Sequence, residues 1–129
     1  MDIVAALFVE TLDQRQAPGP ATRIDLIGVM FSMVAPSPPP VTIAPHLVVL
    51  LRCAPDESGS TTLEVEFKDA ATGAQVARNV QPVNVVPGKF GRQLVRGELS
   101  YADYGTIEAH VSLIGGGSVV VPLTLLPPV

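Results

Sequence analysis

The chain has 129 residues and a net charge of −4, and hydrophobic residues make up 47% of it against 16% charged ones. This composition excludes a disordered chain and predicts one domain, residues 1–129, with a sizeable core. A nucleic-acid binder usually carries a basic face that shows in the net charge, so we expect no nucleic-acid partner. No apolar run is long enough for a membrane helix and the first residues lack the basic start of a secretory signal. We therefore expect a cytoplasmic protein without a membrane partner.

The first third of the chain predicts strands and one change of layer. Residues 3–12 fit a strand or a helix, and their β-type residues favour the strand. A loop follows, with Pro18 and Pro20 at its tip. In residues 23–35 the apolar phase changes at Gly28, which indicates a β-bulge or a close approach of two backbones. A strand of this kind can begin in one sheet and cross into another.

Residues 36–45 contain five prolines. Proline lacks the N–H that a strand ladder needs and fixes φ, so this segment predicts a stiff connector that crosses between two sheets. The spacing of Pro36 and Pro39 also fits a polyproline ligand of a groove domain. We favour the connector, because the flanking strands hold the segment within the fold.

Residues 46–54 are the most apolar predicted strand. Alternate residues from Leu47 to Cys53 form one apolar face, and Val48 and Leu50 make the opposite face apolar as well. This excess over one core predicts that the second face lies under a loop or forms a patch that a partner covers.

The second half of the chain alternates strands with short turns. Leu63 to Lys68 alternate apolar and charged residues, and Asp69 to Gly73 fit a hairpin turn. Pro122 in the last strand predicts an edge position or a bulge. Further strands are predicted at 75–80, 92–99, 107–113 and 119–126, with 86–91 as a loop. About eight strands with regular turns predict an all-β, immunoglobulin-like β-sandwich of seven to nine mostly antiparallel strands.

Three segments resemble a family of small bacterial proteins of unknown function with an immunoglobulin-like β-sandwich. They are "IDLIGVMFSMV", "EVEFKDAATGAQV" and "YADYGTIEAHVSLIGGGSVVVPLTL". They are similar to that family's second strand, central hairpin and closing hairpin. The resemblance covers most of the chain and implies the fold, and the family brings no known activity.

The residues that could carry catalysis are few and scattered. His46 follows Pro45 at a strand start, and His110 shares the polar face of its strand with Glu108 and Ser112. Catalysis needs a nucleophile, a base and an orienting group within reach of each other, and we favour an ordinary solvated face as the explanation of this row of residues.

Metal sites and reactive thiols have no better support in the sequence. Cys53, the single cysteine, lies on an apolar strand face, where free cysteine acts as core filler. One cysteine and two distant histidines do not suit zinc, and the acidic residues at 56–58 and the glycines at 115–117 are typical of turns. We therefore expect no enzyme, no metal and no cofactor.

The clearest candidate for binding is a cationic row near residue 92. Lys89, Arg92 and Arg96 are the cationic residues after Asn79, and the even step from Arg92 to Arg96 puts both on one face of a strand. Phe90 in the preceding loop would add apolar contact area if exposed. This surface would suit an acidic partner, although an edge strand also uses such charges against aggregation.

The function predicted from the sequence is a non-enzymatic protein-interaction module of unknown cellular role, which binds a protein partner or self-associates. The alternative is a structural subunit of a larger homo- or hetero-assembly, such as a particle, a sheath or a phage-like shell. In such an assembly, the sandwich would tile through its sheet edges.

Overall fold

The computed structural model describes residues 1–16, 19 and 21–128, and these residues form eleven strands and no helix. The strands are β1 (Asp2–Gln16), β2 (Thr22–Met30), β3 (Ser32–Val34), β4 (Val41–Ile43), β5 (His46–Arg52), β6 (Ser60–Asp69), β7 (Gln75–Asn84), β8 (Phe90–Arg96), β9 (Leu99–Tyr101), β10 (Gly105–Leu113) and β11 (Ser118–Leu126). The all-β prediction is confirmed, including a strand at residues 3–12. The count exceeds nine because β3, β4 and β9 have three residues each, too few for a pattern. The predicted loop tip at Pro18 and Pro20 lies outside the described residues.

Two main sheets pack face to face. The first has the strand order β2-β1-β5-β8 and the second β3-β11-β10-β6-β7, while β4 and β9 form a separate pair. The strand pairs are antiparallel except for β3 with β11. The largest buried side chains, among them Phe8, Leu47, Phe67 and Leu123, come from both sheets and form one apolar cluster between them. This is the architecture of a β-sandwich.

The chain changes sheets twice within its first third. It leaves the first sheet after β2 and enters the second at β3, and the Thr124 N–H donates to the Phe31 carbonyl at the crossing (2.9 Å). The proline-rich segment then leads from β3 through β4 to β5, back in the first sheet. Both predicted crossings are therefore confirmed.

A second layer covers part of the outer face of the first sheet. Val48 is 1% exposed although its neighbours Leu47 and Val49 point into the core and Val48 is outside the core cluster. The distal half of the β1–β2 hairpin, residues 10–16 and 21–28, lies back across this face, since Gln14 hydrogen-bonds Arg92 of β8. We call residues 10–16 and 21–28 the arm. Burial of a valine contributes about 1.5–3 kcal/mol, which helps hold the arm in place.

The arm depends on Gly28, where β2 departs from regular extended geometry with φ of +68°. The pairing of β1 with β2 continues across this position without a register shift. A Cβ atom at residue 28 would lie 2.6 Å from the Cγ atom of Glu10, so the Glu10 side chain packs directly on the glycine. The change of phase at Gly28 is therefore neither the predicted bulge nor an approach of a second backbone, because the atoms closest to the glycine belong to the Glu10 side chain.

Candidate functional site

The predicted cationic row lies on β8, which ends the first sheet and pairs only with β5 among the described strands. The Cys53 N–H donates to the Lys89 carbonyl (3.1 Å), and the register continues unbroken from there. In an antiparallel ladder the hydrogen-bonded pairs alternate. The odd-numbered residues of β8 therefore bond β5, and the even-numbered residues from Phe90 to Arg96 direct their N–H and C=O groups away from the sheet.

The same even-numbered residues present exposed side chains. Phe90 is 70% exposed, Leu94 is 49% exposed, and Arg92 and Arg96 are exposed between and beyond them. The odd-numbered Val95 is fully buried on the inner face. The structure thus puts a row of two apolar and two cationic side chains next to a row of free backbone groups. We call this set of four residues, with their outward backbone groups, the β8 edge.

The structure corrects and extends the predicted site. Phe90 was expected in a loop, and it is the first residue of β8 because its register with Arg52 continues the β5 pairing. Lys89 lies in the turn just before the strand and is exposed. Leu94 was missed, although its even step from Arg92 and Arg96 is a signal that could have placed it on their face. Whether these residues bind a partner stays a prediction.

The cations of the β8 edge have no carboxylate partners among the described residues. The chain has eight Lys and Arg residues. Four of them form salt bridges: Arg15, Arg52, Lys68 and Arg78. Arg92 and Arg96 of the β8 edge, and Lys89 in the turn before it, form none with the described residues, so the chain, acidic as a whole, keeps an unneutralised positive stretch at one sheet edge.

A groove separates the β8 edge from the arm. It has a volume of about 430 Å³ and is lined by Gln14 and Ile24 of the arm, Leu50 of β5, Asn84 at the end of β7, and Phe90, Gly91 and Arg92 of β8. The Arg92 Nη2 atom donates to the Gln14 Oε1 atom at one wall. The guanidinium keeps further N–H groups for a carboxylate, and the aliphatic walls suit a medium-sized apolar side chain.

The other sheet has edges of a different kind. The Val85 N–H donates to the Gly59 carbonyl (2.7 Å), and the β6–β7 register then directs the backbone of Pro82 away from β6. Pro122 of β11 likewise faces away from β10, beyond the three residues that β3 pairs. The predicted edge position of Pro122 is confirmed. A proline at such a position removes a donor from the free edge.

The two histidines lie in different sheets. The Nε2 atom of His110 is 3.6 Å from the Oε1 atom of Glu108, and both side chains are more than one-third exposed on the outer face of the second sheet. His46 of the first sheet lines a separate depression of about 290 Å³ with Glu10, Met30 and Met33. The structure therefore does not combine the two predicted bases in one site.

Cys53 and the acidic turn after it serve the local structure. Cys53 is fully buried, and its Sγ atom lies 3.5 Å from the Ala54 carbonyl oxygen. Glu57 accepts hydrogen bonds from the Met1 amine and the Ala54 N–H, and these lower the pKa of its carboxyl. Within residues 1–16, 19 and 21–128, no three His, Cys, Asp or Glu side chains cluster closely enough to hold a metal ion, and no helix could cross a membrane.

Compared with known proteins, the sequence matches no family model and none of the curated proteins. The resemblance to a family of small bacterial sandwich proteins stays a prediction.

Proposed function

We propose that the protein is a non-enzymatic interaction module whose β8 edge accepts an extended segment of a protein partner as an additional strand. Strand addition needs a row of free backbone groups that supply main-chain hydrogen bonds. It also needs side-chain positions on alternate residues that select the sequence. The observation that carries the proposal is the coincidence of both features on the even-numbered residues of β8.

The contrast with the other free edges supports β8 as the docking strand. Native sheets protect unpaired edges with prolines, bends and short strands. Pro82 protects β7 and Pro122 protects the open part of β11, while β3 has three residues and β2 departs from extended geometry at Gly28. The outward positions of β8 contain no proline, so its free backbone groups are left available.

The alternative function, a structural subunit that tiles through its edges, has weaker support. Edge-to-edge tiling of identical copies needs at least one further open edge to meet β8, and the prolines of β7 and β11 remove donors where such contacts would form. A heterologous assembly in which another protein supplies the strand is compatible with the proposal and needs the same β8 edge.

Two matched proline variants test the proposal. Leu94→Pro removes the outward N–H at the centre of β8, and Val80→Pro does the same on β7, where Val80 is 52% exposed against 49% for Leu94. Peptides selected from a displayed library of random decapeptides on the wild-type protein would be measured against both variants. We expect at least a tenfold loss of affinity for Leu94→Pro and no change for Val80→Pro, because only the first blocks the docking strand.

Amide hydrogen exchange locates the bound peptide independently of mutation. Docking on β8 protects the outward amides of Arg92, Leu94 and Arg96, which exchange with solvent in the free protein. Selected peptides that bind Leu94→Pro as tightly as the wild type, and leave these amides unprotected, would sink the proposal.

A further inference from the structure

The charges of the β8 edge oppose pairing of β8 with a second copy of itself. Continuing the sheet across a two-fold axis pairs two antiparallel β8 strands with their outer faces on the same side. In a register centred on residue 92, Arg92 faces Arg92 of the other copy, and in one centred on residue 94, Arg92 faces Arg96 twice. The intermediate register places the arginines on diagonals. Like charges opposite each other in a sheet are destabilising, so two of these three registers are disfavoured for self-pairing.

The spacing along the edge defines what a favourable partner strand contains. From residue 90 to 96 the outer face reads apolar, cationic, apolar, cationic on alternate positions. Residues directly opposite in an antiparallel pair have their Cβ atoms about 5 Å apart, which permits an arginine–carboxylate contact. A strand that matches all four positions therefore reads acidic-x-apolar-x-acidic-x-apolar from its N-terminus.

The exposed Phe90 ring supports the apolar part of this pattern. Phe90 is 70% exposed, and the partner residue directly opposite it stands beside its ring. Arg92 donates one N–H to the neutral Gln14 amide and has no carboxylate partner among the described residues. An apolar side chain and a carboxylate two residues apart are thus accommodated together.

We infer that the ligand of the β8 edge is an extended acidic segment of another protein in which carboxylates and apolar residues alternate at every second position. This inference rests on the proposed function, since it names the partner chemistry for the same edge. Polar residues at the intervening positions would point to the opposite face of the added strand.

Three synthetic nonapeptides test the inference, with ¹⁵N-labelled protein and amide chemical shifts as the readout. The first, TETVTETVT, carries the predicted pattern in β-favouring threonine, and the second, TKTVTKTVT, reverses its charges. The third, EETTVVTTT, keeps the charges and breaks the alternation. We expect the first peptide to bind at least tenfold more tightly than either of the others and to protect the Leu94 amide from exchange.

Reversing the charges of the β8 edge should reverse which of the two charged peptides binds more tightly. Arg92→Glu combined with Arg96→Glu is expected to bind TKTVTKTVT more tightly than TETVTETVT. The control, Lys68→Glu combined with Arg78→Glu, changes the net charge equally on the outer face of the second sheet and should leave the wild-type preference intact. Arg92 and Arg96 form no ion pair with the described residues, and the surface ion pairs of Lys68 and Arg78 contribute little to folding, so both proteins should remain folded.

Different results would contradict the acidic partner and the strand docking on which it rests. Equal protection of the Leu94 amide by the acidic and basic peptides would overturn the acidic partner and leave strand docking in place. Equal binding of the broken and alternating acidic peptides would also overturn the inference, since general charge attraction would then suffice. No protection by any peptide at millimolar concentration would overturn both.

Discussion

The two main sheets end side by side on one flank of the sandwich, at β8 and β7. These two edge strands differ in how many free backbone N–H groups they expose. The Gln93 Nε2 atom of β8 donates to the Gln81 Oε1 atom (2.5 Å) and approaches the Pro82 carbonyl (3.5 Å), so the edges are neighbours. Both strands present exposed aliphatic and arginine side chains on their outward positions. Only β7 has a proline among them.

The difference shows how two adjacent edges can differ in binding without differing in composition. Arg78 of β7 is paired with Glu64 (2.8 Å), whereas Arg92 and Arg96 of β8 have no carboxylate partner among the described residues. Proline and an internal ion pair leave β7 with fewer unsatisfied groups than β8. An open edge next to a protected one is the contrast on which the proposed docking at β8 rests.

The strongest test of the β8 geometry compares proline at two successive positions. Gln93→Pro removes an N–H that bonds β5 and should cost about 3 kcal/mol or more of the free energy of unfolding. Leu94→Pro removes an N–H that points outward and should cost about 1 kcal/mol or less. Urea unfolding of both variants checks this difference. Equal losses would show that the alternation along β8 is assigned wrongly.

Opening the β7 edge should change the association state. Pro82→Val restores an outward N–H in a strand that already presents Val80, and we expect the variant to self-associate at concentrations where the wild type does not. Light scattering should show roughly a doubling of the mean mass for a dimer of such edges. Pro55→Val, in a turn, is the control. An unchanged mass for Pro82→Val would mean that the proline is not what keeps β7 unpaired.

The arm that borders the β8 groove should be sensitive to one glycine. Gly28→Ala forces a side chain into positive φ and against Glu10, and we expect a loss of about 1–3 kcal/mol with faster amide exchange in β2. Gly73→Ala is the matched control, because its φ is +74° but a Cβ atom there meets nothing within 4 Å. Similar losses for both variants would rule out the packing of Glu10 on Gly28 as a stabilising contact.

A variant in the core tests whether peptide binding depends on global stability or on the β8 edge alone. Tyr101 is 4% exposed and its hydroxyl donates to the Leu123 carbonyl (2.7 Å), so Tyr101→Phe should cost about 1–2 kcal/mol and leave peptide binding at β8 unchanged. A parallel loss of peptide binding would mean that global stability, and not the edge, controls affinity.

The buried phenol of Tyr101 should also make the free energy of unfolding depend on pH in the alkaline range. Burial raises its pKa to about 12, while the unfolded chain ionises near 10. The unfolded state therefore binds fewer protons above pH 10, and stability falls as the pH rises from 10 towards 12, by up to about 1.4 kcal/mol per unit. Urea unfolding at several alkaline pH values should show a shallower slope for Tyr101→Phe. Identical slopes would contradict the buried, neutral phenol.

Local patterns in the sequence were enough to predict the strands, but not their neighbours. Alternation placed the strands and the even step from Arg92 to Arg96, and Pro122 indicated an edge. Strand order depends on contacts between distant residues, so the freedom of β8 could not be read from its own sequence. Glycines on both sides of Phe90 imitate a loop and hid the start of β8.

The sequence predicted that the outer face of β5 needs cover, but it did not predict that the arm supplies it. Val48 and Leu50 indicated that a second face needed cover, and the structure supplies that cover from a hairpin more than twenty residues away. Apolar patterns do not specify which segment folds over a sheet, because that depends on the course of the backbone, which here includes a positive φ at Gly28.

The parallel pairing of β3 with β11 has a consequence for synthesis of the chain. Ser32–Val34 finds its described strand neighbour only in Thr124–Leu126, which emerge from the ribosome roughly 5–20 s later at ordinary rates of translation. During this interval Ser32–Val34 has no strand of the second sheet to pair with, and Met33, which packs against the core in the folded protein, lacks that contact. The nascent protein therefore completes its second sheet only after its last strand has been made.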